Sequence, residues 1–155
     1  MLPDIRDYEA LAQAFRWRVP PRYNIGADVC TRWALAEPDR VAILWKKPDG
    51  GVEPVTYGRL EDASNRLANA LTAKGIRRGD RVALVLAQGA AAAIAHIAIY
   101  KMGAIAVPLA ALFGIDALAF RLRDSGARAV ITNAEGLAKV SQIRDQLGEL
   151  ALVLS

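Results

Sequence analysis

The chain has one cysteine and one histidine in 155 residues. A single thiol excludes an intramolecular disulfide, and no cysteine–histidine cluster is present to hold a metal. Cys30 lies in Ala27-Asp28-Val29-Cys30-Thr31-Arg32-Trp33, on a helix near Trp33. That setting suits a buried structural thiol rather than a nucleophile. Such cysteine usage points to a reducing, cytoplasmic compartment. No secretory leader is expected, because Asp4, Asp7 and Glu9 open the chain and no apolar segment accompanies them. The same acidic residues argue against a transit peptide. The longest apolar segment, residues 89–100, is too short to span a bilayer and contains His96. No block of like charges occurs, although the net charge is +4. The excess reads as an ordinary solvated surface, with a phosphate- or nucleic-acid-facing patch as the alternative. Internal repeats, low-complexity tracts and interdomain linkers are also missing.

What is present in excess is apolar side chain. Hydrophobic residues make up 54% of the chain, above the usual level of about 45–50%, and much of the surplus is alanine. Tight packing of helices on a sheet would explain it. So would a surface meant to be covered by something outside this chain. The length fits one domain able to bury roughly two thirds of its unfolded surface.

Periodicity divides that apolar content into elements. Tyr8, Leu11, Ala12 and Phe15 recur at helical spacing within residues 5–15. The basic, aromatic arm Arg16-Trp17-Arg18-Val19-Pro20-Pro21-Arg22 follows, and its prolines end the helix. The arm is expected to pack across the domain surface. A second helix is expected over residues 25–36, capped by Asn24, with Val29, Trp33 and Ala36 on one face. Residues 41–46 and 52–56 read as a hairpin turning through Pro48-Asp49-Gly50-Gly51, and Pro54 suggests an edge. Thr56 should cap a helix over residues 57–74, burying Leu60, Ala63, Leu67, Ala70 and Leu71 and leaving Glu61, Asp62, Asn65 and Arg66 to solvent. Strand 81–86, helix 89–102 and strand 104–107 come next, closed by Pro108. Helix 116–124, strand 127–132, an Asn133-capped helix carrying Leu137, Val140, Ile143 and Leu147, and strand 150–154 complete the chain. Successive strand–helix–strand units predict an α/β fold: a Rossmann-like, layered α-β-α arrangement with a largely parallel sheet plus an antiparallel hairpin. Strand 82–86 should be central, because both its faces are apolar. Residues 1–23 form an N-terminal helix and arm, and residues 24–155 an α/β subdomain.

None of the candidate motifs carries chemistry. Gly75-x-x-x-Gly79 joins a helix to a strand, the wrong order for a phosphate loop, and no Gly-Lys-Ser/Thr follows. Gln88-Gly89-Ala90 opens a helix after a strand, where amides could hold an anion, but the dinucleotide fingerprint is missing. His96, flanked by alanine and isoleucine, reads as a packed core histidine without metal or substrate contact. Asp80-Arg81 reads as a turn carboxylate beside a strand-edge cation. Ser64, Ser125, Ser141 and Ser155 lack a nucleophile-elbow context. No catalytic, cofactor-binding or metal-binding residue is assigned.

Four phrases in order carry a resemblance instead: Val55-Thr56-Tyr57-Gly58-Arg59-Leu60; Gly79-Asp80-Arg81-Val82-Ala83-Leu84; Tyr100-Lys101-Met102-Gly103-Ala104-Ile105-Ala106-Val107-Pro108; and Arg121-Leu122-Arg123-Asp124-Ser125-Gly126-Ala127-Arg128-Ala129-Val130-Ile131-Thr132. They resemble the start of the adenylate-forming, AMP-binding superfamily of acyl-coenzyme A synthetases, luciferases and peptide-synthetase adenylation enzymes. The match extends over residues 24–155. Tyr23-Asn24-Ile25, Asp28-Val29-Cys30 and Trp33-Ala34 are most similar to acetyl-type and medium-chain acyl-coenzyme A synthetases.

The resemblance implies a two-step ligase. A carboxylate attacks the α-phosphate of ATP to give an acyl-adenylate and pyrophosphate, and coenzyme A then displaces AMP. Mg²⁺ and cationic groups would stabilise the phosphates. The family's Gly-rich phosphate loop, its Tyr-x-x-Thr-Glu phrase, its ribose-binding Asp and its C-terminal lysine do not occur in this chain. It therefore looks like an N-terminal piece of a larger enzyme, inactive alone, with no bound cofactor of its own. Its partners would be the remainder of the parent enzyme and a small carboxylic acid, without nucleic acid or a membrane span, and the piece could self-associate. In acetyl-type relatives the loop after the Val-Pro-like strand borders the coenzyme A channel. Here that loop, Leu109-Ala110-Ala111-Leu112-Phe113, lacks the paired glycines of some relatives, so no contact is carried over. The alternatives are a freestanding α/β binding or regulatory module, or another adenylating enzyme of the superfamily.

Overall fold

The computed structural model describes residues 4–17 and 20–155. Arg18 and Val19 of the basic arm lie outside the described residues. Helix α1 (Tyr8–Ala14) starts where the Asp7 carboxylate accepts from the Ala10 amide at 2.8 Å. It buries none of its residues, and Tyr8 is 80% exposed. Trp17 meets Phe15 edge-to-face at 5.0 Å but is 83% exposed. At this end of the arm Trp17 packs on Phe15, whereas Pro21 and Arg22 lie beside Arg78 and residues 100–104 of the domain.

The second helix begins as expected, with Asn24 Oδ1 accepting from the Ala27 amide at 3.0 Å. It then passes through a π-helical turn, Ala27–Thr31, before continuing as α2 (Arg32–Ala36). A π turn inserts a residue and rotates the face beyond it. Cys30 in this turn is fully buried, as expected, while Val29 is 44% exposed. Close approach to a later helix fixes this segment. A Cβ on Gly26 would lie 2.7 Å from Lys101 Cγ and 2.9 Å from its amide nitrogen.

Strands β1 (Val41–Lys46) and β2 (Val52–Thr56) pair antiparallel. They form a two-stranded sheet of their own, so the hairpin does not extend the parallel sheet. Val55, Ala42 and Ile43 instead cluster with Cys30, Leu60 and Ile97 on the outside of the helical layer. Thr56 caps α3 (Tyr57–Ala73) by accepting from the Arg59 amide at 3.3 Å.

The remaining strands, β3 (Arg81–Val85), β4 (Ile105–Leu109), β5 (Ala129–Thr132) and β6 (Leu152–Leu154), form one parallel sheet in the order β4-β3-β5-β6. Helix α4 (Ala90–Lys101) joins β3 to β4, α5 (Ile115–Asp124) joins β4 to β5, and α6 (Ala134–Ser141) follows β5. β3 is interior, and Val82, Ala83, Leu84 and Val85 are buried, as the apolar run predicts. Val82 and Leu84 pack with Leu71 of α3 and Ala95 and Ile99 of α4. Ala83 and Val85 pack on the other face with Leu118 and Leu122 of α5 and Val140 of α6. The result is the layered α-β-α arrangement with an added hairpin.

Several boundaries shift from expectation; β5 and β6, for instance, start two residues later than the apolar runs suggest. β4 runs through Pro108 to Leu109, with Pro108 opposite Leu84. An edge strand tolerates proline because its outer side needs no ladder donor. α6 stops at Ser141, then tightens into a 3₁₀ turn at Arg144–Gln146 that still buries Ile143 and Leu147.

Candidate functional site

Open α/β sheets receive ligands in the crevice beyond the carboxyl ends of their strands. Here β3 ends at Val85 and β4 at Leu109, and residues 43–46 of β1 face the same space. Between these elements lies an open cleft of about 930 Å³. One wall is the strand–helix turn Leu86-Ala87-Gln88-Gly89, another is the loop from Pro108 to Leu112, and Leu44 and Trp45 form the roof. Gly89 makes room for the roof, since a Cβ there would lie 3.0 Å from the Trp45 indole nitrogen.

The lining is largely aliphatic. Among the described residues that line it, Lys46 is the single Asp, Glu, Lys or Arg. His96 also faces the cleft, with Nδ1 3.1 Å from the Tyr100 hydroxyl. Burial pushes its pKa down, so the ring is neutral at neutral pH. The expectation of a fully enclosed histidine is corrected here: His96 is half-buried. The hairpin residues Val55, Ala42 and Ile43 cluster with Ile97, whereas the neighbouring His96 lines the cleft.

A second polar cluster is sealed between helices. Lys101 Nζ lies 2.7 Å from Glu61 Oε2, 2.8 Å from Ser64 Oγ and 2.7 Å from Asn65 Oδ1. Thr31 donates to Glu61 Oε1 at 3.1 Å, and Asn24 donates to the Lys101 carbonyl at 3.0 Å. The Lys101 and Glu61 side chains are 11% and 18% exposed, so Glu61 does not face solvent as the helical pattern predicts. Burial raises the Glu61 pKa, but hydrogen bonds from Lys101, Asn65 and Thr31 and the Lys101 charge outweigh it and hold the carboxyl below its ordinary value. Burial also pushes the Cys30 thiol up to about 11, against the charge of Lys101. A thiol held there stays protonated at neutral pH, which suits its buried structural position.

Residues 30–155 match the AMP-binding enzyme family. The chain belongs to that family. An acetyl-coenzyme A synthetase of Novosphingobium aromaticivorans is 38% identical over 124 residues, 79% of this chain and 19% of its own length. The AMP-binding chain thus spans about a fifth of the length of that relative. The crystal structure of an acyl-CoA synthetase of Brucella canis superposes with a TM-score of 0.83 at 26% identity, covering 94% of this chain and 28% of that one. An anthranilate CoA ligase, AuaEII, solved in complex with anthranoyl-AMP, gives a TM-score of 0.78 at 29% identity, covering 87% and 25%. These matches place the chain among adenylate-forming enzymes, as the four quoted phrases imply. The parallel sheet and the walls of the cleft lie wholly inside the AMP-binding match.

Within this AMP-binding fold the remaining sequence candidates fall apart in space. Asp80 Oδ2 accepts from the Arg77 amide at 2.8 Å within its turn. Arg81 donates to the carbonyls of Ser125 and Gly126, at 3.0 and 2.7 Å. The hydroxyls of Ser64, Ser125 and Ser141 donate to helix carbonyls. Sequence reasoning did not single out Trp45, Leu112 or the Glu61–Lys101 pair. Only the placement of the hairpin and the helix crossing reveals them. No helix among the described residues is long and apolar enough to cross a membrane.

Proposed function

We propose that these residues form the amino-terminal α/β part of an ATP-dependent acyl-coenzyme A synthetase. The reaction is carboxylate, ATP and coenzyme A to acyl-coenzyme A, AMP and pyrophosphate through an acyl-adenylate. The observation that carries the reading is the AMP-binding match over residues 30–155, joined to 38% identity with an acetyl-coenzyme A synthetase. On this reading residues 24–155 are one subdomain, residues 1–23 precede it as helix and arm, and the protein acts in the cytoplasm. Its partners are the rest of the enzyme and a small carboxylic acid.

The residues present do not fit Mg²⁺–triphosphate. Among the described residues no three His, Cys, Asp or Glu side chains come together. The cleft lining offers Lys46 but no carboxylate. The turn Leu86–Gly89 has one glycine and no basic side chain. We therefore assign the grip on ATP and its metal to residues outside this stretch, and adenylation to the longer protein alone.

Pyrophosphate exchange with ATP and short to medium carboxylates tests this, run on the full reading frame and on residues 1–155. Exchange by the full-length protein, followed by thioester formation with coenzyme A, is the expected result. Residues 1–155 alone should give neither exchange nor micromolar ATP binding by calorimetry. Exchange by the 155-residue chain, or none by the full-length protein, would overturn the reading. Adenylation without thiol transfer would mark a different adenylating enzyme.

A further inference from the structure

The amino end of the parallel sheet, opposite the cleft, holds a second open cavity of about 1030 Å³. Arm residues 21–25 form one side. Arg78, in the turn before β3, and residues 100–104, between α4 and β4, form the other. The charged residues of its lining are Arg22, Arg78 and Lys101, all cationic. Lys101 is committed to Glu61 at 2.7 Å. Arg22 and Arg78 are exposed, and among the described residues neither has a carboxylate within ion-pair distance. Asp28 and Asp80 are engaged elsewhere, with Tyr23 and Arg32 and with the Arg77 amide. Helix α4 ends at this cavity, and free terminal carbonyls would repel an anion. They are capped instead. Asn24 donates to the Lys101 carbonyl at 3.0 Å, and the amides of Gly103 and Ala104 donate to the carbonyls of Tyr100 and Ile99 at 3.1 and 3.0 Å. Tyr23 also lines the cavity. Its hydroxyl donates to Asp28 at 2.6 Å, which holds the ring in place while the residue stays 59% exposed.

We propose that this cavity binds a nucleoside monophosphate, at the end of the sheet away from the cleft. The Arg22 and Arg78 guanidinia take the phosphate, whose oxygens their planar forks match. Tyr23 offers its ring to the base. The cavity is larger than a bare phosphate fills and close to the size of small-molecule sites, about 300–1,000 Å³. With no carboxylate in the lining, the nucleotide is taken without a metal ion. The inference stands apart from the ligase reading, because none of these residues lines the cleft.

The test uses the full-length protein with AMP, and inorganic phosphate as the comparison, at fixed ionic strength. Hydrogen exchange separates this site from any nucleotide held elsewhere in the protein. AMP should protect amides in residues 21–25 and 100–104. Half-protection should need AMP well above the micromolar range, because both guanidinia are exposed and screened by salt. Arg22→Gln and Arg78→Gln should each raise that concentration about three- to tenfold, and the double variant should lose the protection. Unaltered exchange in β3 and β5 without ligand shows that each variant is folded, and Arg22 lies on the exposed arm, away from the core. Tyr23→Leu should weaken AMP by a similar factor and leave phosphate unchanged. Absence of protection in the wild-type protein overturns the proposal, as does protection that survives in the double variant. Phosphate that binds as tightly as AMP overturns it too, since the Tyr23 ring would then contribute nothing.

Discussion

Gly136 shows how one missing atom can be required by a neighbour's hydrogen bond. A Cβ there would fall 1.9 Å from Thr132 Oγ1, the hydroxyl that donates to the Val85 carbonyl at 2.9 Å. Thr132 is buried beside β3, so its side chain has little room to yield. Gly136→Ala would ordinarily favour a helix. Here it should cost about 1–3 kcal/mol through overpacking, read from urea unfolding midpoints. In a Thr132→Ala background the penalty should shrink, because the obstructing hydroxyl is gone. An equal penalty in both backgrounds would show that the clash is not the cause. No local pattern in the sequence announces this contact. The same holds for Glu61, whose position on an amphipathic helix points to solvent until α4 is laid across it. Cys30 was legible because its neighbours are helical and mixed, and burial of a free thiol is the common outcome.

At the scale of elements, local signals proved sufficient where a residue's own backbone decides. Helices α3, α4 and α5 all end in the same way. Gly75, Gly103 and Gly126 have φ of 88°, 69° and 58°. The next amides, of Ile76, Ala104 and Ala127, return to the carbonyls of Leu71, Ile99 and Leu122 at 3.0 Å. Each closing pair is buried, so the helix end and the start of the next strand lock together. Gly75 has open space around it, whereas a Cβ on Gly126 would meet the Arg81 guanidinium at 2.8 Å. Gly75→Ala should therefore cost about 1–2 kcal/mol from backbone strain alone. Gly126→Ala should cost more, because Arg81 must also leave two carbonyls. Equal losses in thermal or urea unfolding would refute that ordering. Caps at Asn24, Thr56 and Asn133 were readable for the same local reason. The π turn at Ala27–Thr31 and the separate hairpin sheet were not, because both depend on what α4 presents to them. The cleft was illegible for that reason too: its roof and floor are about forty residues apart in sequence, at Trp45 and Leu86.

For the whole molecule, the Glu61–Lys101 pair ties the first helical segment, α3 and α4 into one layer. Through Thr31 and Asn24 it reaches across most of that layer. The folded carboxyl titrates below its ordinary value. Its contribution to stability is therefore fully present above the ordinary glutamate pKa and is lost as pH falls through the lower folded one. Glu61→Gln should flatten that part of the acid limb in urea titrations repeated across pH. Lys101→Met should do something different. It removes the cation but keeps a long apolar stem, leaving the carboxylate buried beside Ser64. Thr31 and Asn65 still donate to that carboxylate, so the loss at neutral pH should be about 1–3 kcal/mol. Burial, already the largest influence on Glu61, would then be opposed by the Asn65 and Thr31 hydrogen bonds without Lys101, so the carboxyl should titrate above its wild-type folded value. A smaller depression of the folded pKa means that the variant has less stability to lose as pH falls through the wild-type value. Lys101→Met should consequently narrow its deficit against wild type on acidification, even as both proteins weaken overall. A deficit that stays constant from neutral to acidic pH would mean that the pair does not hold the layer through its charges.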